Sequence, residues 1–90
     1  MLKTFEELAV KLEEHGKNAV QFRVKTELLE ESAARCREAK TAKAYKKEQR
    51  TLKEIRVWLD GFLTGLMIDN WITQDELIRL YRIMLDMQFL

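Results

Sequence analysis

Residues 45–68, YKKEQRTLKEIRVWLDGFLTGLMI, decide the fold. Tyr45, Leu52, Leu59 and Leu66 stand seven apart, and Glu48, Ile55 and Phe62 each fall four residues before the next member of that series. On an α-helix those spacings bring all seven side chains to one side, an a/d seam with a single polar lapse at Glu48. Followed backward, the same register meets Thr41, Glu38 and Glu31, so the seam fades. Propensity nevertheless stays helical from Thr26 to Ile68, with Ala33, Ala34, Ala39, Ala42 and Ala44 in a charge-rich middle. A long central helix bent near residues 37–44 is expected, in preference to a straight arm whose middle contacts little.

Working forward from the seam, the DNW turn at 69–71 precedes Thr73 and Glu76 in capping-box spacing. They start a last helix with Leu77, Leu80, Tyr81, Met84 and Leu85 on one side and Asp75, Arg79, Arg82 and Asp86 on the other. Together with the preceding helix this makes a C-terminal helical hairpin. Asn70 suits a left-handed turn residue. Residues 52–85 also hold both tryptophans and most of the large aliphatics, which marks them as the expected stability core.

At the other end, Thr4 and Glu7 repeat the capping-box spacing before Phe5, Leu8 and Leu12, and Gly16 suits the residue that closes a helix. Segment 19–24, AVQFRV, is ambiguous, because Val20, Phe22 and Val24 alternate as in a strand. Helix is expected there: a lone strand leaves its backbone unpaired, and LMIDNWI at 66–72 reads better as a helix end and turn. The expected fold is all-α, a single domain over residues 1–90. It is a small bundle of about four helices with a long, bent central helix and a C-terminal hairpin.

Composition agrees with this reading and limits the function. The 90 residues contain no proline, and their glycines are Gly16, Gly61 and Gly65. With 47% hydrophobic and 34% charged residues the chain is an ordered domain. Ordering costs roughly 1.5 kcal/mol per residue, so one small core leaves a thin margin, and packing against a second copy or a partner is expected. Gly61 and Gly65 lie in a segment that also presents Val57, Trp58, Leu63, Met67 and Ile68, apolar on nearly every side. Trp58, Gly61, Phe62, Gly65, Ile68 and Trp71 are therefore the candidate protein interface.

The net charge of +1 excludes binding to nucleic acid through bulk charge alone. Its distribution is uneven: residues 35–56 carry 9 basic and 3 acidic side chains, residues 57–90 carry 2 and 5. Lys43, Lys46, Lys47, Arg50 and Lys53 fall within an arc of roughly 120° opposite the seam, and Lys40 precedes them. They form a candidate site for nucleic acid or an acidic partner. The stripe lacks interleaved aromatic, Asn or Gln side chains, so such binding would follow phosphates and weaken with salt. A solvated face opposite a core is the simpler explanation.

Catalytic chemistry finds little to work with. His15 and Cys36 are each unique, so no triad or metal cluster assembles from one chain. His15 suits the negative end of a helix. Cys36, between Arg35 and Arg37, reads either as an activated thiol or as filler on an alanine-rich face, the latter being preferred. The carboxylates Glu13, Glu14, Glu30 and Glu31 lack the Glu-x-x-His spacing of a di-metal bundle, since Leu12 stands three before His15. An EF-hand ending at Glu76 would place Gly65 and Met67 where carboxylates belong. No metal, cofactor or enzyme activity is expected.

A single cysteine excludes an internal disulfide and points to a reducing compartment. Lys3, Glu6 and Glu7 interrupt any signal-peptide core, and the apolar stretch from Val57 to Ile68, broken by Asp60, is far short of the ~20 residues of a membrane span. A cytoplasmic location without membrane contact is expected. The expected function is stoichiometric protein–protein binding as a regulator, adaptor or inhibitor, with the chain acting as a homodimer through residues 52–72 and its protein partner not named by the sequence. The alternatives are a nucleic-acid-binding accessory protein using the basic face at 40–53, and a small phage or mobile-element accessory protein that inhibits host machinery.

Overall fold

The computed structural model describes residues 3–89. These form α1 (Lys3–Glu14), α2 (Val20–Glu38), α3 (Ala42–Ile68) and α4 (Gln74–Phe89), with no strand among the described residues. The molecule measures 44 × 22 × 19 Å. At 1.5 Å per residue the 27 residues of α3 run about 40 Å, nearly the full long axis. Among the described residues no helix is long and apolar enough to cross a membrane.

The bend expected near residues 37–44 is a complete chain reversal. α2 ends at Glu38, Ala39 is extended (φ −64°, ψ 127°), and Thr41 caps α3 by accepting a hydrogen bond from the Ala44 N–H at 3.1 Å. The two helices then pack antiparallel, Arg35 meeting Glu48 at one end and the Phe22 ring stacking on Phe62 at 5.3 Å towards the other. This reversal explains the fading seam. Thr41 falls on the seam's register because it is the cap, and the polar lapse at Glu48 faces the Arg35 guanidinium at 3.1 Å. Leu52, Ile55, Leu59 and Leu66 are buried as the heptads require, whereas Tyr45 is exposed, its hydroxyl accepting a hydrogen bond from the Gln49 amide.

α1 and α3 end in the same way. The Gly16 N–H (φ 78°) donates to the Glu13 carbonyl and Lys17 N–H to the Leu12 carbonyl, while the Asn70 N–H (φ 64°) donates to Met67 and Trp71 N–H to Leu66. Both are Schellman closures with a left-handed residue at their corner. The Lys11 ammonium donates to the Trp71 carbonyl at 2.8 Å and ties α1 to the second of these turns. At the start of α1 the expectation fails: Lys3 is already helical, so Thr4 lies within the first turn instead of capping it.

α4 starts with the full reciprocal box. Thr73 Oγ1 accepts from the Glu76 N–H at 3.1 Å and Glu76 Oε1 accepts from the Thr73 N–H at 3.0 Å. That backbone hydrogen bond is the main cause holding the Glu76 carboxyl below its usual range. A lowered native pKa stabilises the fold above the unfolded-state value of about 4.3 and is lost as pH falls through the native value. Thr73→Ala is expected to lower stability by about 1 kcal/mol in denaturant melts. Glu76→Gln should flatten the acid limb of the stability profile, an effect that an unpaired surface carboxylate would not produce.

The core is wider than the C-terminal hairpin marked by composition. Phe5, Leu8, Ala9 and Leu12 from α1 and Phe22, Leu29 and Ala33 from α2 are buried with Leu59, Leu63, Leu77, Leu80 and Met84. Arg23 fastens α1 to α2 by binding both Glu6 and Glu13, and its hydrogen bond lowers the Glu13 pKa. Residues 19–24 are helical apart from Ala19, and only one of their alternating residues, Phe22, is buried.

Candidate functional site

With α2 packed on one flank of α3 and α4 on another, α3 from Arg50 onward keeps a single face towards solvent, whereas its first turns, Ala42 to Lys47, are exposed all round. Tyr81 of α4 places its hydroxyl 3.0 Å from Thr64 Oγ1 and hydrogen-bonds the Asp60 carbonyl, which fixes the α4 flank. On the α2 flank, Trp58 stacks on Phe62 (5.2 Å, 11°), Phe62 on Phe22, and Phe22 lies 6.0 Å from Phe5. The aromatic row thus joins three helices, each ring pair adding about 0.5–1.5 kcal/mol beyond its burial.

The solvent face is one continuous line. At 100° per residue, Lys43, Lys46, Arg50, Lys53, Val57, Gly61, Thr64 and Ile68 fall within an arc of about 80°. All are exposed except Thr64, which is half-buried, and Lys47 and Gly65 border the line. The line changes chemistry midway: its first half is cationic, its second half small and apolar. Val57 is 59% and Ile68 70% exposed. A Cβ built on Gly61 or Gly65 meets nothing within 4 Å, so no packing inside the chain requires glycine at either position. In a helix interior each glycine nevertheless costs roughly 1 kcal/mol relative to alanine.

The six residues proposed from sequence as a protein interface therefore separate in space. Gly61 and Ile68 belong to the solvent line, and Gly65, half-buried, borders it. Trp58 and Phe62 are half-buried in the aromatic row, and the Lys25 ammonium sits 5.6 Å from the Trp58 ring. Trp71 is half-buried in the α3–α4 turn, with the Lys17 ammonium at 5.0 Å and the His15 ring at 5.7 Å. Val57 is the residue that sequence reasoning left unplaced. Continuing the arc of the basic stripe past Lys53 leads directly to it.

Among the basic residues, Lys40 is exposed in the reversal between α2 and α3, while Lys43, Lys46, Lys47, Arg50 and Lys53 are exposed along α3. No ion pair engages these six among the described residues. Cys36 behaves oppositely to an activated thiol: burial, with help from Glu48, pushes its pKa up despite Arg35 and Arg37. Among the described residues, no cluster of three His, Cys, Asp or Glu side chains could hold a metal ion. A groove of about 250 Å³ lies between α1 and α4, lined by Glu7, Leu8, Lys11, Ile72, Glu76 and Arg79 among others. It falls below the ~300 Å³ of ordinary ligand pockets. Two of its polar groups are already engaged, Glu76 in its cap and Lys11 on Trp71.

Comparison of the chain with protein-family models, curated proteins and solved structures finds no match.

Proposed function

We propose that this chain is a non-enzymatic helical binding module that acts stoichiometrically, as a regulator, adaptor or inhibitor does, through the exposed face of α3, and that it works as a homodimer. The observation that carries this reading is the pair Val57 and Ile68, two large aliphatic side chains left in solvent on either side of Gly61 on the helix that spans the molecule. Uncovered aliphatics on a rigid helix gain about 25 cal/mol per Å² when another surface removes them from water. The outward glycines let a second helix backbone approach closely without obstruction.

Gly61→Leu separates folding from association, because the two respond with opposite sign. Leucine fits the open space and is the better helix former, so the monomer should gain up to about 1 kcal/mol and melt no lower than the wild type. Its bulk at the point of closest approach should weaken the dimer. Light scattering over a concentration series is expected to give about twice 10.7 kDa for the wild type and the single-chain mass for Gly61→Leu. A wild type that stays monomeric at millimolar concentration defeats the homodimer reading.

A second reading, nucleic-acid binding through phosphates, is favoured by the unpaired exposed cations from Lys43 to Lys53. Gel shifts in rising salt test it: retention that falls steeply between 50 and 200 mM salt, as counterion release demands, would support it, and no shift at the lower concentration would remove it.

A further inference from the structure

The cationic half of α3 borders an open groove of about 350 Å³, lined by Lys46, Gln49, Arg50, Lys53 and Arg56. Four cations and an amide line it, with no carboxylate among the described residues of its wall. At 100° per residue these five fall within an arc of about 120°, displaced from the solvent line towards Gln49. That displacement brings in the two kinds of side chain missing from the arc drawn on sequence alone. Gln49 stands in the wall, and its amide donates to the Tyr45 hydroxyl at 2.7 Å, tying an aromatic ring to the groove's first turn. Tyr45 is 42% exposed, so part of its surface is open to a ligand.

Neighbouring acids do not neutralise the row. Glu48 is turned to Arg35 on the α2 side. Glu54 lies about 40° beyond Arg50, away from the groove. Asp60 faces Arg56 at the far end, which leaves Lys46, Arg50 and Lys53 in a row about 10 Å long. A polyanion is the complement of such a row. α3 cannot enter the major groove of a duplex, about 12 Å wide, because the packed helices present a cross-section of 22 × 19 Å. The bases of a duplex are stacked inside it, beyond a tyrosine on the flank of a bundle. Those of an unpaired strand offer their faces to an exposed ring. The ~15 Å from Lys46 to Arg56 covers about four nucleotides at 3.4 Å each.

We propose that this groove binds single-stranded nucleic acid, with phosphates along Lys46, Arg50, Lys53 and Arg56 and one base stacked on Tyr45. The proposal rests on the phosphate-binding reading of α3 and adds to it the class of strand and the side chain that meets a base. It requires no dimer and leaves Val57 and Ile68 uncovered.

Fluorescence anisotropy tests it with a labelled oligothymidylate of about 12 nucleotides, alone and annealed to its oligoadenylate complement. At about 50 mM salt the single strand is expected to bind about tenfold tighter than the duplex. Three or four neutralised phosphates give a log–log salt slope of about −2 to −3, a loss of about 20- to 50-fold between 50 and 200 mM. Lys46→Gln and Lys53→Gln should each reduce that slope by about 0.7. Tyr45→Ala should instead weaken binding about tenfold at every salt concentration with the slope unchanged, and Tyr45→Phe, which keeps the ring, should bind as the wild type does. Circular dichroism of each variant reports whether the helices are intact.

Equal affinity for strand and duplex, or a folded Tyr45→Ala that binds as tightly as the wild type, would overturn the proposal while the phosphate-binding reading stands. So would a Tyr45→Phe as weak as Tyr45→Ala. Displacement of the strand by polyglutamate as effectively as by unlabelled oligothymidylate would assign the groove to an acidic protein and equally overturn it. Binding of neither strand nor duplex at the lower salt would instead remove the reading on which the proposal rests.

Discussion

Replacing Leu59 by alanine is expected to lower the unfolding free energy by about 2–5 kcal/mol, while Lys40→Ala should leave it within about 0.5 kcal/mol of the wild type. Leu59 is completely buried in the middle of α3, one of the seam residues around which all four helices pack. Truncation there removes its transfer free energy and leaves a cavity that four packed helices cannot fully close. Lys40 stands in the reversal between α2 and α3 with its side chain in water. Denaturant melts should be run at a protein concentration low enough to keep the chain monomeric, since any dimer adds its own concentration-dependent stability. Equal midpoints for the two variants would mean that the heptad seam faces no core.

Part of this fold was readable because several local signals agreed. The seam from Leu52 to Leu66 is a periodic pattern of large aliphatics, and the Thr73–Glu76 box is a cap whose two hydrogen bonds form as its spacing requires. Asn70 and Gly16 both occupy the left-handed region that their chemistry suits. The reversal at 39–41 was legible only as a fading pattern, because it contains neither glycine nor proline. An extended alanine and a threonine cap make the break, and its cause is tertiary: the buried Leu29 and Ala33 of α2 find their cover on α3 when the chain turns back. The Thr4–Glu7 spacing misled for the complementary reason, since a capping box is a local pattern that also fits inside a first helical turn.

The candidate site was half legible. Periodicity placed Lys43, Lys46, Lys47, Arg50 and Lys53 on one face, and their exposure follows from the burial of the seam opposite. Periodicity alone could not sort the apolar segment that follows, where nearly every direction carries a hydrophobic side chain. Which of those side chains stay in water depends on where α2 and α4 pack. The positions of Phe22 and Tyr81, on other helices, decide that Trp58 and Phe62 turn inward and that Val57 and Ile68 do not.

The segment with the conflicting period offers the other large effect. Phe22→Ala is expected to cost about 3–5 kcal/mol, and Val20→Ala and Val24→Ala each less than about 0.5 kcal/mol. Phe22 has no exposed surface and sits between the Phe5 and Phe62 rings, so its loss opens a cavity where α1, α2 and α3 meet and breaks the aromatic row at its centre. Val20 and Val24 are exposed on α2, where alanine is also the better helix former. In a strand the three residues would share one face, and their truncations would be costly together. In the helix only the phenylalanine is inside. For a domain of this size total stability is roughly 5–13 kcal/mol, so Phe22→Ala removes a large fraction of it and should shift the denaturation midpoint clearly, with both valine variants close to the wild type. Comparable losses at all three positions would restore the period-two reading and with it a different path for the chain between α1 and the long hairpin.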